Sequence, residues 1–442
     1  MREDALLPAL NRKLEEWPRG GGYAVAFSGG ADSTLLLTAL VRLECGAPLR
    51  ALHVDHALHP DSARWATHCE TTARALGVEY LGVRVTVDRD SPLGLEAAAR
   101  TARYRALRAL LSSGETLLTA HHADDQIETL LLRMLRGTGA RGLRGIVEYA
   151  PFGPGYLGRP LLEFTRAQLN AQAQRWGASW IEDPANRDPA RDRNYLRLHV
   201  LPALTARWPA APRMAQRLAR QMAEADEILD ERAAEDARGL ERLDRVPRSL
   251  LLELAPSRRS NLLRYLLRQL GLPMPSARQL QELVASLRVQ RRDARPRVAW
   301  PGGEGRVYRD ALYLFAPLPP ASGPLLRAPV TAAAAWAGPE GRVALVPTDG
   351  AGLPERWLGA GLTLRFRAGG ERLRPLGRTC GCSLKRWLHD AAVVPWMRGR
   401  LPLLFHGERL VAVADLALDE SAAAAPDVRR FAVSWTDHPP VH

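Results

Sequence analysis

The sequence predicts an α/β fold: a Rossmann-like parallel sheet with helices on both faces, followed by a helical domain and a small α+β C-terminal domain. Three observations predict it. Strand-like and helix-like segments alternate through the first two hundred residues. A turn rich in serine and glycine follows the first apolar run, and the texture of the chain changes near Arg213 and again after a proline-rich stretch.

Taken in order, the strand candidates are Tyr23 to Phe27, Leu49 to Asp55, Tyr80 to Val87 and Thr116 to Ala120, short apolar runs bounded by turn residues. Helical patterns fall at residues 33–44, 61–76, 95–112 and 123–136. Such a sheet binds ligands beyond the carboxyl ends of its strands. From about Arg213, arginine- and glutamate-rich helical stretches cover 213–238, 256–270 and 276–288. RVAWPGGEGRVYRDALYLF closes them as a hairpin turning at Gly302 and Gly303. The proline density of APLPPASGPLLRAP, residues 316–329, reads as a semi-rigid linker. Beyond it come strand signals around 362–367 and 410–416 and a short helix from Ser383. The expected division is 1–212, 213–315, the linker 316–329, and 330–442, with no internal repeat of fixed period.

Composition bounds the function. With 46% apolar and 25% charged residues, a chain of 442 can bury a core in each of several domains. The first seventeen residues alternate charge with leucine, unlike a signal peptide, and no later segment reaches the roughly 20 apolar residues of a membrane span. A soluble, cytoplasmic protein without a membrane partner is expected. Cys45, Cys69, Cys380 and Cys382 are too few and too unevenly placed for a disulfide framework and are expected as reduced thiols. Cys380 and Cys382 lack a second pair at zinc-site spacing. The net charge of +13 favours a polyanion such as RNA or DNA. Only Lys13 and Lys385 are lysines among 61 basic residues. Codon bias accounts for arginine replacing lysine, and leaves the excess over acids unexplained.

Two constellations carry chemistry. In YAVAFSGGADSTLLLTAL, residues 23–40, a strand ends in Ser28-Gly29-Gly30 and feeds a helix at about Ser33. Backbone N–H groups through Ala31 and the helix dipole then converge on a spot suited to phosphate, and the Ser28 and Ser33 hydroxyls add donors. Glycine allows close backbone approach. Asp32 repels a phosphate unless a cation intervenes, so Mg2+ bridging Asp32 and a polyphosphate is the economical answer. The GxxxxGK[ST] loop requires a lysine that is absent here, and GxGxxG does not match FSGGADS. The alternative is a strand-to-helix turn whose glycines serve tightness alone. In TAHHADDQIETLLLRMLRGTGARGL, residues 119–143, Asp125 and Glu128 share one helical face, where they hold Mg2+ or accept protons from an incoming amine. His121 and His122 stand at the strand's carboxyl end, as ligands to the crevice or as helix caps. RGTGARGL suggests a flexible basic loop on another anion.

SGGADS resembles the loop of the N-type ATP pyrophosphatases, which split ATP between its α and β phosphates to adenylate an oxygen. Together with LHVDHALHPDS (52–62), EAAARTARYRAL (96–107), the 119–143 segment and WIEDPANRDPARDRNYLRLHVLPAL (180–204), its order and spacing are similar to the tRNA(Ile)-lysidine synthetase family. RAGGERLRPLGRTCGCSLKRWLHDAAVVPWMRGRLPLLF looks like that family's terminal domain, with Leu384, Lys385, Pro395 and Arg398 in pattern and the CGC insertion less usual. The middle region is similar only in length and texture.

The resemblance implies ligation of lysine to C2 of the wobble cytidine in a CAU-anticodon tRNA(Ile). Cytidine O2 attacks the ATP α-phosphate, releasing pyrophosphate; a lysine amine, the ε-amine in the family, then displaces AMP. ATP and Mg2+ are the implied cofactors, tRNA and lysine the partners, and a homodimer the assembly. Ser28, Gly29, Gly30, Ala31, Asp32 and Ser33 are expected to bind pyrophosphate and Mg2+, with Arg100 or Arg103 neutralising charge at the α-phosphate. His121, Asp125 and Glu128 line the reacting centre, the acids orienting and deprotonating the lysine ammonium. Arg193, with Asn194 and Arg197 near it, meets the AMP or cytidine phosphate. His53, Asp55 and His56 lie near the adenosine or are structural. RNA contacts are expected at Arg197, Arg372, Lys385 and Arg398, among a wider basic set including Arg213, Arg217, Arg220, Arg374, Arg378 and Arg386. Rival readings are a tRNA thiolase, which needs cysteines near the sheet, an ammonia-using synthetase with a glutaminase partner, and a non-catalytic RNA-binding protein. The clustered acids argue against the last.

Overall fold

Tyr23–Ala26 (β1) is short and apolar because it is a central strand with Ala24 and Val25 fully buried. Its neighbours are Leu49–Asp55 (β2), with Glu79–Arg84 (β3) beyond on one side, and Thr116–Leu118 (β4) on the other. Tyr149–Phe152 (β5) and Gly155–Gly158 (β6) form a hairpin, and the sheet runs β3-β2-β1-β4-β6-β5. Every pair is parallel except β5 with β6. The chain builds outward from β1 to β3 and then returns to the other side of β1, so the topological switch point lies between β1 and β4. In this computed structural model the described residues are 5–18, 20–44, 46–91, 94–184, 188–288, 296–323, 327–329, 336–358, 361–422, 429–439 and 441.

Helices cover both faces. Leu6–Glu16 (α1), Ala31–Leu43 (α2), Ser62–Ala75 (α3) and Arg166–Arg175 (α7) bury Leu10, Leu35, Leu36, Leu37, Cys69 and Leu169 in one core. Leu95–Leu110 (α4) covers the opposite face through Leu107, with Leu111 just beyond it, against Leu52, Leu117 and Leu157. Ala123–Leu135 (α5) instead packs Ile127 and Leu130 against Leu201 of Leu201–Arg207 (α9) and against Ala215 and Ala219 of Ala211–Asp236 (α10). Ala140–Leu143 (α6) and Asp192–Tyr195 (α8) are single turns, and Leu196–Val200 continues α8 as a π-helical turn. The expected strands and helices of this region all form, within a few residues of the expected ends. The β5–β6 hairpin and α7 were not anticipated: four-residue strands carry too little periodicity to read.

By packing, the chain forms two compact units, 1–229 and 230–442, so the boundary falls inside α10. In the second unit Pro256–Gln269 (α12) and Ala277–Ser286 (α13), with Arg248–Glu253 (α11) before them, pack Leu262, Leu263, Leu266, Leu267 and Leu283 on an antiparallel sheet of Arg245–Pro247, Arg297–Trp300, Gly303–Tyr308 and Ala311–Phe315. The expected helices are present, and the expected hairpin is part of a four-stranded sheet. The stretch read as a linker ends in a strand, Arg327–Pro329, paired with Thr363–Arg365; residues 324–326 lie outside the described set. The remaining C-terminal region is β-rich, with antiparallel sheets around Leu362–Arg365, Leu403–His406 and Arg409–Val413 and around Gly341–Thr348 and Arg430–Thr436. Its helix Leu384–Asp390 starts as expected at Ser383, whose hydroxyl accepts the Arg386 N–H at 3.3 Å. Among the described residues no helix is long and apolar enough to cross a membrane.

Candidate active site

The turn after β1 is held by its own serines. Ser33 Oγ accepts the Ser28 N–H at 3.3 Å, lies 3.1 Å from Ser28 Oγ and donates to the Gly30 carbonyl at 3.1 Å. Gly30 caps α2 without a side chain, so the N–H groups of Ala31, Asp32 and Ser33 open the helix with no side-chain acceptor. Gly29 has a φ of +76°, and a Cβ there would meet Cys69 Sγ at 2.8 Å and Ile181 Cδ1 at 3.0 Å. Only glycine fits. The Gly29 carbonyl accepts the Ile181 N–H at 2.8 Å, which draws the 180–204 segment across the turn.

Asp32 follows on the first turn of α2. Its Oδ1 is buried and has no hydrogen-bond partner, and its Oδ2 lies 3.7 Å from His122 Nε2. Burial raises its pKa, with Asp125 adding repulsion against the attraction of His122. His122 is 1% exposed, and its ring nitrogens lie 3.4 Å from Asp125 and 3.6 Å from Asp124. Burial alone lowers an imidazole pKa, but Asp125, Asp124 and Asp32 outweigh it and hold His122 above the ordinary value. His122 therefore links the turn after β1 to α5 through three neighbouring carboxylates.

On α5, Asp125 Oδ2 accepts the His122 N–H at 3.0 Å, and Oδ1 accepts Arg193 at 2.7 Å and Arg197 at 3.2 Å. Glu128 is fully buried; Arg193 and Arg197 each donate an Nε to it at 2.7 Å. Against the desolvation that raises it, His122, His121 and Arg193 drive the Asp125 carboxyl well below the usual range. Arg193 and Arg197 are one turn apart, so both reach inward while Tyr195 between them is 53% exposed. Arg197, expected among the RNA contacts, thus belongs with Arg193 in this acid cluster.

His121 turns elsewhere, with Nδ1 2.8 Å from Thr119 Oγ1, and burial pushes its pKa down to about 3. At the end of β2, His53 Nδ1 lies 2.9 Å from the Phe27 carbonyl oxygen, and burial lowers its pKa. Asp55 accepts the Ala57 N–H at 2.7 Å and Arg84 at 2.9 Å. Both line the same carboxyl edge of the sheet, while His56 Nδ1 is buried without a partner. Arg100 and Arg103 stack on Tyr104, with Arg103 within electrostatic reach of His56 and of Arg193. In the second unit Arg372 and Lys385 are exposed, whereas Arg398 turns inward, donating to the Val393 carbonyl at 2.9 Å and the Tyr308 hydroxyl at 2.7 Å. Sequence reasoning gave His122 no role distinct from its neighbour and missed Tyr104 and Arg159; the signal for Arg159 was its place just past a strand too short to notice.

A buried carboxylate oxygen without a donor, at the mouth of a phosphate-suited turn, fits a divalent cation that bridges to phosphate oxygens. Among the described residues no group of three or more histidine, cysteine or acidic side chains could by itself hold a metal ion. Cys69 packs behind the turn with its thiol pushed up to about 12 by burial, and Cys380 and Cys382 are also unpaired; Cys45 lies outside the described residues.

Comparison with known proteins places this crevice in context. Residues 8–204 match the family model of a PP-loop domain, 247–313 that of the TilS substrate binding domain, and 362–435 that of the TilS substrate C-terminal domain. The chain is 41% identical to the tRNA(Ile)-lysidine synthase of Alkalilimnicola ehrlichii, over 95% of each chain. It is 38% identical to that of Methylococcus capsulatus, over 94% of this chain and 97% of the relative. For Xanthomonas campestris pv. campestris the identity is 41%, covering 88% and 89%. Matched in this way almost from end to end, and in each of its three segments, the chain belongs to the tRNA(Ile)-lysidine synthase family.

Proposed function

We propose that the protein joins lysine to the wobble cytidine of a CAU-anticodon tRNA(Ile), with ATP converted to AMP and pyrophosphate. The observation that carries this reading is the chain Asp32–His122–Asp125, which sets the phosphate turn and the acid–arginine cluster in one crevice at the switch point. The turn's N–H groups and serine hydroxyls hold the phosphates of ATP. Asp32 is the residue that would hold Mg2+, which when bound screens the phosphate charge from this carboxylate. His53 and Asp55, at the end of the neighbouring strand β2, would meet the adenosine side.

Asp125 and Glu128 act first on this chain's own arginines. Each guanidinium is fixed by both acids, so Arg193 and Arg197 stand ready for charge that develops at the α-phosphate when cytidine O2 attacks. Asp125 Oδ1, shared between two guanidiniums, is the oxygen that meets an incoming lysine ammonium. Two guanidiniums crowd that ammonium, which lowers its pKa so that its proton passes to water and the amine is freed as a nucleophile. The amine then attacks C2 and AMP leaves with the cytidine oxygen. A sulfur-transferring alternative gains nothing from Cys69, since a buried thiol with its pKa pushed up to about 12 is a poor carrier. A reducing cytoplasm is the compartment this reading implies. Incubation with unmodified tRNA, Mg2+, ATP labelled in its α-phosphate and labelled lysine tests it: lysine enters the RNA in step with AMP release, and AMP release without lysine transfer sinks it.

A further inference from the structure

The first unit carries a second group of charges. Of the two arginines expected at the α-phosphate, Arg103 is within electrostatic reach of Arg193 and is the one suited to that role. Arg100 is instead within reach of Arg133 and Arg159. Arg100 and Arg103, three residues apart on α4, put their guanidinium carbons 4.8 and 5.6 Å from the Tyr104 ring centre. The Tyr104 hydroxyl lies beside Arg159, the first residue past β6, and Arg133 of α5 is within electrostatic reach of Arg100. Among the described residues none of these four arginines forms an ion pair. Arg133 donates to the Gly142 and Gly145 carbonyls at 2.7 and 2.8 Å, and Arg159 to the Val147 carbonyl. Arg159 Nε is buried with no partner at all. Burial, with Arg100 beside them, holds the Arg133 and Arg159 guanidiniums below their ordinary pKa.

Such a gathering of cations is unfavourable until an anion joins it. Its place narrows the anion. Arg159 ends the strand beyond β4, two strand spacings or roughly 10 Å from β1, on the side away from His53 and Asp55. The turn after β1 already has donors of its own for ATP. A cytidine within an RNA loop must be splayed out of its strand to reach a crevice, which crowds the phosphates on either side of it at the mouth. Crowded phosphodiesters repel each other, and unpaired guanidiniums relieve that repulsion through charge-assisted hydrogen bonds.

We propose that Arg100, Arg133 and Arg159, assembled about Tyr104, form a clamp for the phosphodiesters flanking the cytidine that is modified. The proposal rests on the RNA-modifying reading above, and its test separates the two. Full-length protein and the variants Arg100→Gln, Arg159→Gln and Arg159→Lys are titrated with unmodified tRNA over a series of salt concentrations, and lysine incorporation is followed in parallel. Each glutamine variant is expected to bind RNA about tenfold more weakly at low salt, with the slope of log affinity against log salt reduced by about 0.7 for each phosphate no longer neutralised. Arg159→Lys restores the slope but not the full affinity, because the charge returns without the fork. The KM values for ATP and lysine stay within twofold of the wild type.

Slopes unchanged in both glutamine variants overturn the clamp, as does a raised KM for lysine or ATP with normal RNA binding, since the anion is then a carboxylate or a nucleotide phosphate. Should Arg159→Gln lower the thermal midpoint, the exposed Arg100 carries the test. Wild-type protein that shows the slope but incorporates no lysine sinks the functional reading and leaves the clamp standing.

Discussion

Asp32 keeps a carboxylate oxygen buried without a donor, an arrangement that serves a ligand at the expense of the fold. Asp32→Ala is expected to abolish AMP formation while raising stability by about 1 kcal/mol, since the unsatisfied group goes with it; a denaturant midpoint that falls together with activity contradicts this. Glu128 is the opposite case, a fully buried acid whose two guanidinium partners satisfy it. Glu128→Gln leaves Arg193 and Arg197 undercompensated and is expected to cost about 3 kcal/mol along with activity, read by the same unfolding experiment. His121 supplies a pH signature. Its pKa is pushed down to about 3, so below the unfolded value near 6.5 the unfolded chain takes up a proton that the folded one refuses. Stability from this site is therefore lost as pH falls from about 6.5 toward 3, and His121→Gln should flatten the fall. At this scale the acids, the histidines and the serine turn were legible because their residue types announce charge and phosphate. That Arg193 and Arg197 pair with acids about seventy positions earlier was not legible, because only the folded sheet brings α8 and α5 together.

The element that matters most is the turn from β1 into α2. Gly29 sits in the left-handed region with sulfur and methyl carbon where a Cβ would go. Gly29→Ala is expected to destabilise the protein by about 2 kcal/mol and to raise the KM for ATP well beyond any change in the KM for lysine. An unchanged KM for ATP would mean that the turn does not touch phosphate. This element was readable from sequence because little besides phosphate binding calls for serines, glycines and an acid together between a buried strand and a leucine-rich helix. The β5–β6 hairpin was not, since YAPF and GYLG carry no period, and with it went the position of Arg159 at the sheet's carboxyl edge. The texture of 213–315 was read as helical because its helices are long and amphipathic, while the strand Arg245–Pro247, at three residues, carried no signal of its own.

For the whole molecule, the surplus of positive charge and the two exposed cations Arg372 and Lys385 support RNA binding by the second unit. Arg372→Ala combined with Lys385→Ala is expected to raise the KM for tRNA several-fold while kcat at saturating RNA holds, and to lower the salt dependence of binding. Arg398→Ala should act differently, through the missing bond to the Tyr308 hydroxyl, and show itself as about 1–2 kcal/mol of stability. The measurement that tests the central claim most directly is the double-label reaction of wild type beside Asp125→Asn, with tRNA(Ile) bearing a CAU anticodon. The account predicts one lysine incorporated for each AMP released by the wild type, and neither by the variant. Lysine incorporation that survives in Asp125→Asn, or AMP released without lysine by the wild type, would contradict it.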